Sequence, residues 1–162
     1  MAGIVELATG LITGNVLAAT GVAIAVVVAG LSSAKGLEIS GSTAAAVTGE
    51  KEENFSNALV LEALPQTQCV YGFIVGVLIT LGIMSGNMTL EKGLIGLAAG
   101  ITVGITGISA ISQGKVASAA IGATTKNPKI SGKVLIFIVM PEIAALFGFV
   151  TAVLLLVSGK VF

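Results

Sequence analysis

One carboxylate, Glu142, stands in the middle of an apolar run from Val134 to Gly159, with Lys133 and Lys160 at its ends. A charge at the centre of a membrane helix costs roughly 2.5–3.5 kcal/mol on insertion scales. A chain that keeps one there has a use for it, and carrying an ion is the usual use. The blander reading is a polar pair that only fixes helix packing. Two further polar groups lie deep in apolar sequence. One is Leu64-Pro65-Gln66-Thr67-Gln68, followed by Tyr71; the other is Gln113. Thr67, Gln68, Gln113 and Tyr71 bring oxygen donors and hydrogen-bond partners, with no imidazole or sulfur ligand among them. Oxygen ligands suit a hard cation such as Na+. Thr67 and Tyr71 are four positions apart, as are Leu64 and Gln68, so these groups share one side of a helix. Pro65 and Pro141 lack an N–H, which releases the carbonyl one turn earlier and bends the helix. Such loosened carbonyls can act as ligands or bond a side chain. A lone intramembrane Thr usually bonds back to its own helix, and a lone Gln is often interhelical glue. Beside a carboxylate, the set reads as an ion site.

The elements that must position these groups are membrane helices. The chain has 162 residues, of which 10% are charged, against about 25% in soluble domains. Its mean hydropathy is +1.07. Four stretches are long enough to span a bilayer, which takes about 20 apolar residues. They are Leu7–Ala34, Ala63–Leu90, Gly93–Gly114 and Val134–Gly159, and only the last contains a charge. The expectation is an all-α integral membrane protein of four helices with short connections, leaving no chain for a soluble domain. The start of the chain has no basic segment before its apolar run, and Glu6 stands where a signal peptide would carry Lys or Arg, so the first helix is expected to persist in the mature protein. His and Trp are absent and Cys69 is the one cysteine, which excludes a disulfide framework or a Cys/His metal cluster. Cys69 reads as a small packing residue.

The lysines suggest an orientation. Lys35, Lys51, Lys115, Lys126, Lys129 and Lys133 are expected at or beside the two loops that join helix one to two and three to four; Lys92 and Lys160 fall on the other side. By the positive-inside rule those two loops are cytoplasmic and both termini lie outside.

The chain also repeats itself. Pro65-Gln66 aligns with Pro141-Glu142, Gly72-Phe73 with Gly148-Phe149, and Val77-Leu78 with Val153-Leu154, all at an offset of 76. Gly30-Leu31-Ser32 matches Gly107-Ile108-Ser109, and Gly36 matches Gly114 one residue out of step. This divides the chain into two tandem helical hairpins, 1–86 and 87–162. Membrane repeats commonly place a site at their interface near the midplane. Gln66 occupies the place of Glu142 in the first hairpin, so one charge-carrying site per chain is expected. Helix three carries Gly93, Gly96, Gly100, Gly104 and Gly107, and helix one has Gly10, Gly14, Ala18, Gly21, Ala25 and Ala29. Small residues at this spacing permit close helix approach in lipid, and two such helices per chain suit a closed ring with the Gly-rich helices inside. Glu62 lies one turn before Gln66. The repeat aligns Lys35 with Gln113, and the expectation is that Glu62 pairs with Lys35 inside the first hairpin or reaches the cytoplasmic interface.

Three segments carry a family resemblance: Leu64 to Phe73 (LPQTQCVYGF), Ile111 to Ala117 (ISQGKVA) and Pro141 to Phe149 (PEIAALFGF). They resemble the proteolipid (K/c) subunit of V-type and A-type rotary ATPases in its duplicated four-helix form, over essentially the whole chain. The resemblance implies a homo-oligomeric membrane ring, a non-catalytic role, and Glu142 as the ion-carrying carboxylate. It implies that Na+, or alternatively H+, is the ion. The Na+ ligands it implies are Glu142, Thr67, Gln68, Gln113 and the backbone carbonyl of Leu64, with Tyr71 bonding the carboxylate in its locked form. It implies as partners a stator membrane subunit with a basic residue, a central-stalk subunit on the cytoplasmic side, and lipid, and no nucleic acid. The membrane implied is a bacterial or archaeal plasma membrane. Rival readings are a freestanding channel or carrier, and a purely structural ring.

Overall fold

The computed structural model describes residue 10 and residues 12–162; Glu6 and the start of the run at Leu7 lie outside the described residues. Four helical rods run antiparallel to their sequence neighbours, and no strand occurs among the described residues. The first rod is α1, Gly14–Glu50. The second joins α2, Phe55–Glu62, to α3, Thr67–Met84, through a 3-10 turn at Leu64–Gln66. The third joins α4, Leu90–Thr106, to α5, Ser109–Lys126. The fourth joins α6, Ser131–Val139, to α7, Glu142–Ser158, with a bend of 45°. Three rods are apolar and long enough to cross a membrane, and the bent pair makes a fourth. The expected two hairpins are therefore present as an all-helical multi-pass membrane protein.

The rods outrun the apolar stretches. The first continues past Ala34 to Glu50, and the third past Gly114 to Lys126. Hydropathy falls there, but Ala44, Ala45, Ala46, Ala117, Ala119, Ala120 and Ala123 are good helix formers. At 1.5 Å per residue a 37-residue rod is about 55 Å long, well beyond a hydrocarbon core of about 30 Å. The connections shrink accordingly, to Lys51 and a 3-10 turn at Glu52–Asn54 between the first two rods, and to Asn127 and a 3-10 turn at Pro128–Ile130 between the last two. Two expectations change as a result. Lys35 and Lys115 lie inside helices, not beside loops, so four lysines (Lys51, Lys126, Lys129 and Lys133) mark that end. Lys35 also does not pair with Glu62. Its Nζ meets Glu38 one turn on, at 2.7 Å, while the Glu62 carboxylate packs across Gly41, six positions further along α1 and out of reach of Lys35.

Both hairpins start alike. The Thr13 hydroxyl accepts from Val16 N–H and the Thr89 hydroxyl from Lys92 N–H, each at 3.3 Å. Such caps satisfy backbone donors that the first helical turn leaves free. The same offset of 76 separates the two threonines.

Helices α1, α4 and α5 form the central seam, with α1 running parallel to the third rod. A Cβ added at Gly93, Gly100 or Gly114 would strike the backbone of Gly14, Gly21 or Gly36 respectively. These contacts expose a change of register. Gly14 and Gly21 face partners 79 positions on, whereas Gly36 faces one 78 positions on. Between them the third rod tightens: Ile108 N–H bonds Ile105 O, Ala110 N–H bonds Gly107 O, and Ile111 N–H bonds Ile108 O. A 3-10 turn rises about 2.0 Å per residue against 1.5 Å in an α-helix. The third rod therefore covers the same length with one residue fewer.

Helices α3 and α7 flank this seam. Gly72 sits on Ala25 and Ala29 of the first hairpin, and Gly148 sits on Thr106 of the second. The buried core falls into two apolar clusters. One contains Val75, Ile79, Val103, Ala152 and Leu156; the other contains Leu61, Ala117, Ile121, Val134 and Ile138. Polar ties near the loop end, Thr43 to Ser118 at 2.7 Å and Asn57 to Thr124 at 2.8 Å, hold the rods there.

Gly100→Val is expected to destabilise the protein by about 1–3 kcal/mol through overpacking. Gly49→Ala, where nothing lies within 4 Å, should leave stability equal or slightly raised. Thermal dissociation in detergent, followed by size exclusion, measures both.

Candidate ion-binding site

Between the two apolar clusters, the second, third and fourth rods each break once. The breaks are Leu64–Gln66, Gly107–Ile108 and Met140–Pro141. Each has a local cause. Pro65 cannot donate to Leu61 O, so the chain tightens and Thr67 N–H turns to Leu64 O. Gly107 begins the tight turns that set the register of the seam. Pro141 removes another donor, and the next amide but one, Ile143 N–H, reaches Met140 O at 3.4 Å.

Three new helices start just after these breaks. Thr67 opens α3, Ser109 opens α5, and Glu142 opens α7. Glu142 therefore sits in the first turn of a helix whose free N–H groups and dipole favour an anion by about 1 kcal/mol. Pro141 thus does more than loosen carbonyls: it starts a helix at the carboxylate. A proline directly before an acid is the sequence signal for this second effect.

Every candidate side chain belongs to one connected set. Tyr71 Oη donates to Glu142 Oε1 at 2.9 Å, and Gln113 Nε2 donates to Glu142 Oε2 at 3.3 Å. Gln68 Nε2 donates to Gln113 Oε1 at 2.8 Å. Thr67 Oγ1 donates to Gln68 Oε1 and to Leu64 O, each at 3.2 Å. Gln68 and Gln113 are fully buried, while Glu142, Thr67 and Tyr71 are partly buried. The Tyr71 ring stacks on Phe149 with centroids 5.0 Å apart, which fixes the direction of its hydroxyl. Leu64 O, Thr67 Oγ1, Gln68 Oε1, Gln113 Oε1 and the Glu142 carboxylate make five oxygen groups from three rods. A carboxylate with neutral oxygens is a donor set for a hard monovalent cation.

Other groups lie nearby or apart. Gln66 is exposed and takes no part in the set. Cys69 N–H donates to Ser33 Oγ at 3.0 Å, so α1 braces the start of α3. Ser109 carries no signal in the sequence that sets it apart from other serines. Its Oγ is the one buried side-chain polar atom without a partner among the described residues, and it lies one turn from Gln113 on the same helix side. No group of three or more His, Cys, Asp or Glu residues converges among the described residues.

The chain is similar to known proteins over most of its length. The family model for the ATP synthase C subunit matches twice, over residues 20–79 and 97–155. The chain is 42% identical over 143 residues to the A-type ATP synthase subunit K of Methanocaldococcus jannaschii. That match covers 88% of this chain and 63% of the relative, so the chain spans less than two thirds of that protein's length. It is 40% identical over 147 residues to the V-type sodium ATPase subunit K of Enterococcus hirae, covering 90% and 94% of the two chains. It is 27% identical over 139 residues to the 16 kDa proteolipid (c) subunit of the V-type proton ATPase of Homo sapiens, covering 85% and 89%.

Gln68 and Gln113 are fully buried and joined by one hydrogen bond, so replacing either by Leu should cost about 1–3 kcal/mol by leaving a buried polar atom of the other without that partner. The double replacement should cost less than the two together, because coupled neighbours are not additive. Thermal dissociation of the three variants tests this; simple additivity would contradict the coupling.

Proposed function

Because the chain belongs to the family of the ATP synthase C subunit, we propose that it is the ion-carrying proteolipid of a V/A-type rotary ATPase, working as one of many identical copies in a membrane rotor ring. The observation that carries this reading is the five-oxygen set centred on Glu142, built from three rods at one depth. Each chain contributes two hairpins, 1–86 and 87–162, and one such set. The subunit is non-catalytic; ATP chemistry belongs to other subunits of the complex.

Na+ is the preferred cargo. A proton needs only the carboxylate, whereas Thr67, Gln68, Gln113 and Leu64 O supply oxygens that a metal ion requires. The sodium ATPase relative lends support by its name. When Na+ sits among these groups, the charge of Glu142 is cancelled and the site can pass lipid. When the ion leaves, the bare carboxylate needs a cation opposite it, which a basic residue of the stator subunit supplies. Tyr71 and Gln113 hold the carboxylate in its inward position in between. Moving one charge through about 100 mV yields about 2.3 kcal/mol, so several carboxylates must pass for each ATP. One site per four helices lowers that number, which favours ATP-driven pumping over synthesis. The loop end, with Lys51, Lys126, Lys129 and Lys133, faces the cytoplasm and the central stalk, and both termini face out of the cell across its plasma membrane.

Carbodiimide labelling tests the reading. Glu142 is expected to be modified, Na+ should prevent this, and labelling should stop ATP-coupled transport. Protection by pH alone would make the cargo H+. Labelling that Na+ never affects and that leaves transport intact would leave only a structural ring. Ion flux through the chain in the absence of the other subunits would instead favour a freestanding channel. Glu142→Gln should abolish transport while assembly persists. Thr67→Val, which removes one oxygen, should weaken Na+ protection about tenfold, near 1.4 kcal/mol.

A further inference from the structure

The repeat makes the join between the two hairpins of one chain a template for the join between chains. Hairpin one presents Tyr71 to hairpin two, where it stacks on Phe149 and bonds Glu142. The two hairpins are built alike: Gly72 packs on Ala29, and Gly148 on Thr106, at equivalent places. Adding the offset of 76 to Tyr71 gives Phe147 on hairpin two, and subtracting it from Phe149 gives Phe73 on hairpin one. Tyr71 and Phe149 are partly buried in the chain. Phe147 and Phe73 are 67% and 59% exposed. They stand as the two open ends of a unit whose internal join is complete.

We propose that Phe147 of each chain stacks on Phe73 of the next copy, and that this seam is a dry, ion-free counterpart of the ion site. The proposal rests on the ring reading above and adds which faces meet. Side chains on both sides of the seam fit. The places of Thr67, Gln68 and Tyr71 are taken on hairpin two by Ile143, Ala144 and Phe147. None of these side chains offers an oxygen or a hydroxyl. Opposite them, the place of Glu142 is taken by Gln66, which carries no charge, and Ile143 and Ala144 are exposed in the isolated chain. The contact is head-to-tail, so it propagates in one direction and closes only as a ring. Aromatic pairs of this kind add to the area they bury, and their apolar faces exclude water from the seam. The amide at Gln66 thus faces an apolar wall, and alternate seams around the ring hold no ion.

The test uses the full chain in its own membrane, with Cys69 changed to Ser. Phe73→Cys and Phe147→Cys together, treated with a short bis-maleimide, should give a ladder of multimers on a denaturing gel. Either cysteine alone should give monomers, and a mixture of the two single variants should give dimers and nothing larger. A double variant that stays monomeric although both thiols accept a monofunctional maleimide would overturn the proposal. So would dimers from a single variant, which would mean a two-fold contact. Lysine-directed cross-linking of the unsubstituted protein reports the ring separately, so a multimer there without the thiol ladder would sink the seam and spare the ring. If the cysteine variants do not assemble, Phe73→Leu and Phe147→Leu decide the question. Each should lower the dissociation temperature of the oligomer, and the pair should lower it no further than one alone; full additivity would overturn the proposal. Na+ protection of Glu142 should be unchanged in both.

Discussion

The carboxylate of Glu142, hydrogen-bonded by Tyr71 and Gln113, constrains everything around it. A charge in a low-dielectric layer needs partners close at hand, and those partners must come from other helices. The side chains that meet it belong to the second and third rods, and Gln68 and Thr67 extend the chain of hydrogen bonds to the backbone at Leu64. No single helix could supply this set. The four-rod arrangement brings it together within one chain.

Close packing makes that arrangement possible. A hydrogen bond of about 3 Å between side chains on different rods tolerates little error in the position of the backbones. Glycine against glycine fixes that position, because helix backbones in direct contact leave no freedom in their separation. The seam between the first and third rods is where backbones meet most closely. The second and fourth rods carry the bends, and their broken segments lean on the seam through Gly72 and Gly148.

Much of this was legible in the residues. The apolar stretches, the offset of 76 and the out-of-place polar groups pointed to two hairpins and to the members of the polar set. The lengths of the rods were not legible, because hydropathy reports where oil ends and not where a helix ends. The pairing of Lys35 went astray for a related reason. Alignment with Gln113 gives its depth, but the nearest acid is fixed by helical spacing, and Glu38 lies one turn away on the same rod. The orphaned hydroxyl of Ser109 and the position of Glu142 at a helix start depend on where the rods break. Of the three breaks, only the two at prolines announce themselves in the sequence.

The third break works like the scale of a vernier. Two parallel rulers with equal divisions would drift apart if one carried a mark fewer, and the tight turn at Gly107 stretches the shorter ruler until the marks coincide again. Below the turn the match serves Gly36 and Gly114; above it, Gly21 and Gly100. Relaxing the turn would align one set only by spoiling the other. It would also swing Gln113 about the rod axis, away from the carboxylate. A loop absorbs an inserted or deleted residue at little cost; this stretch of helix has no slack in which to hide one.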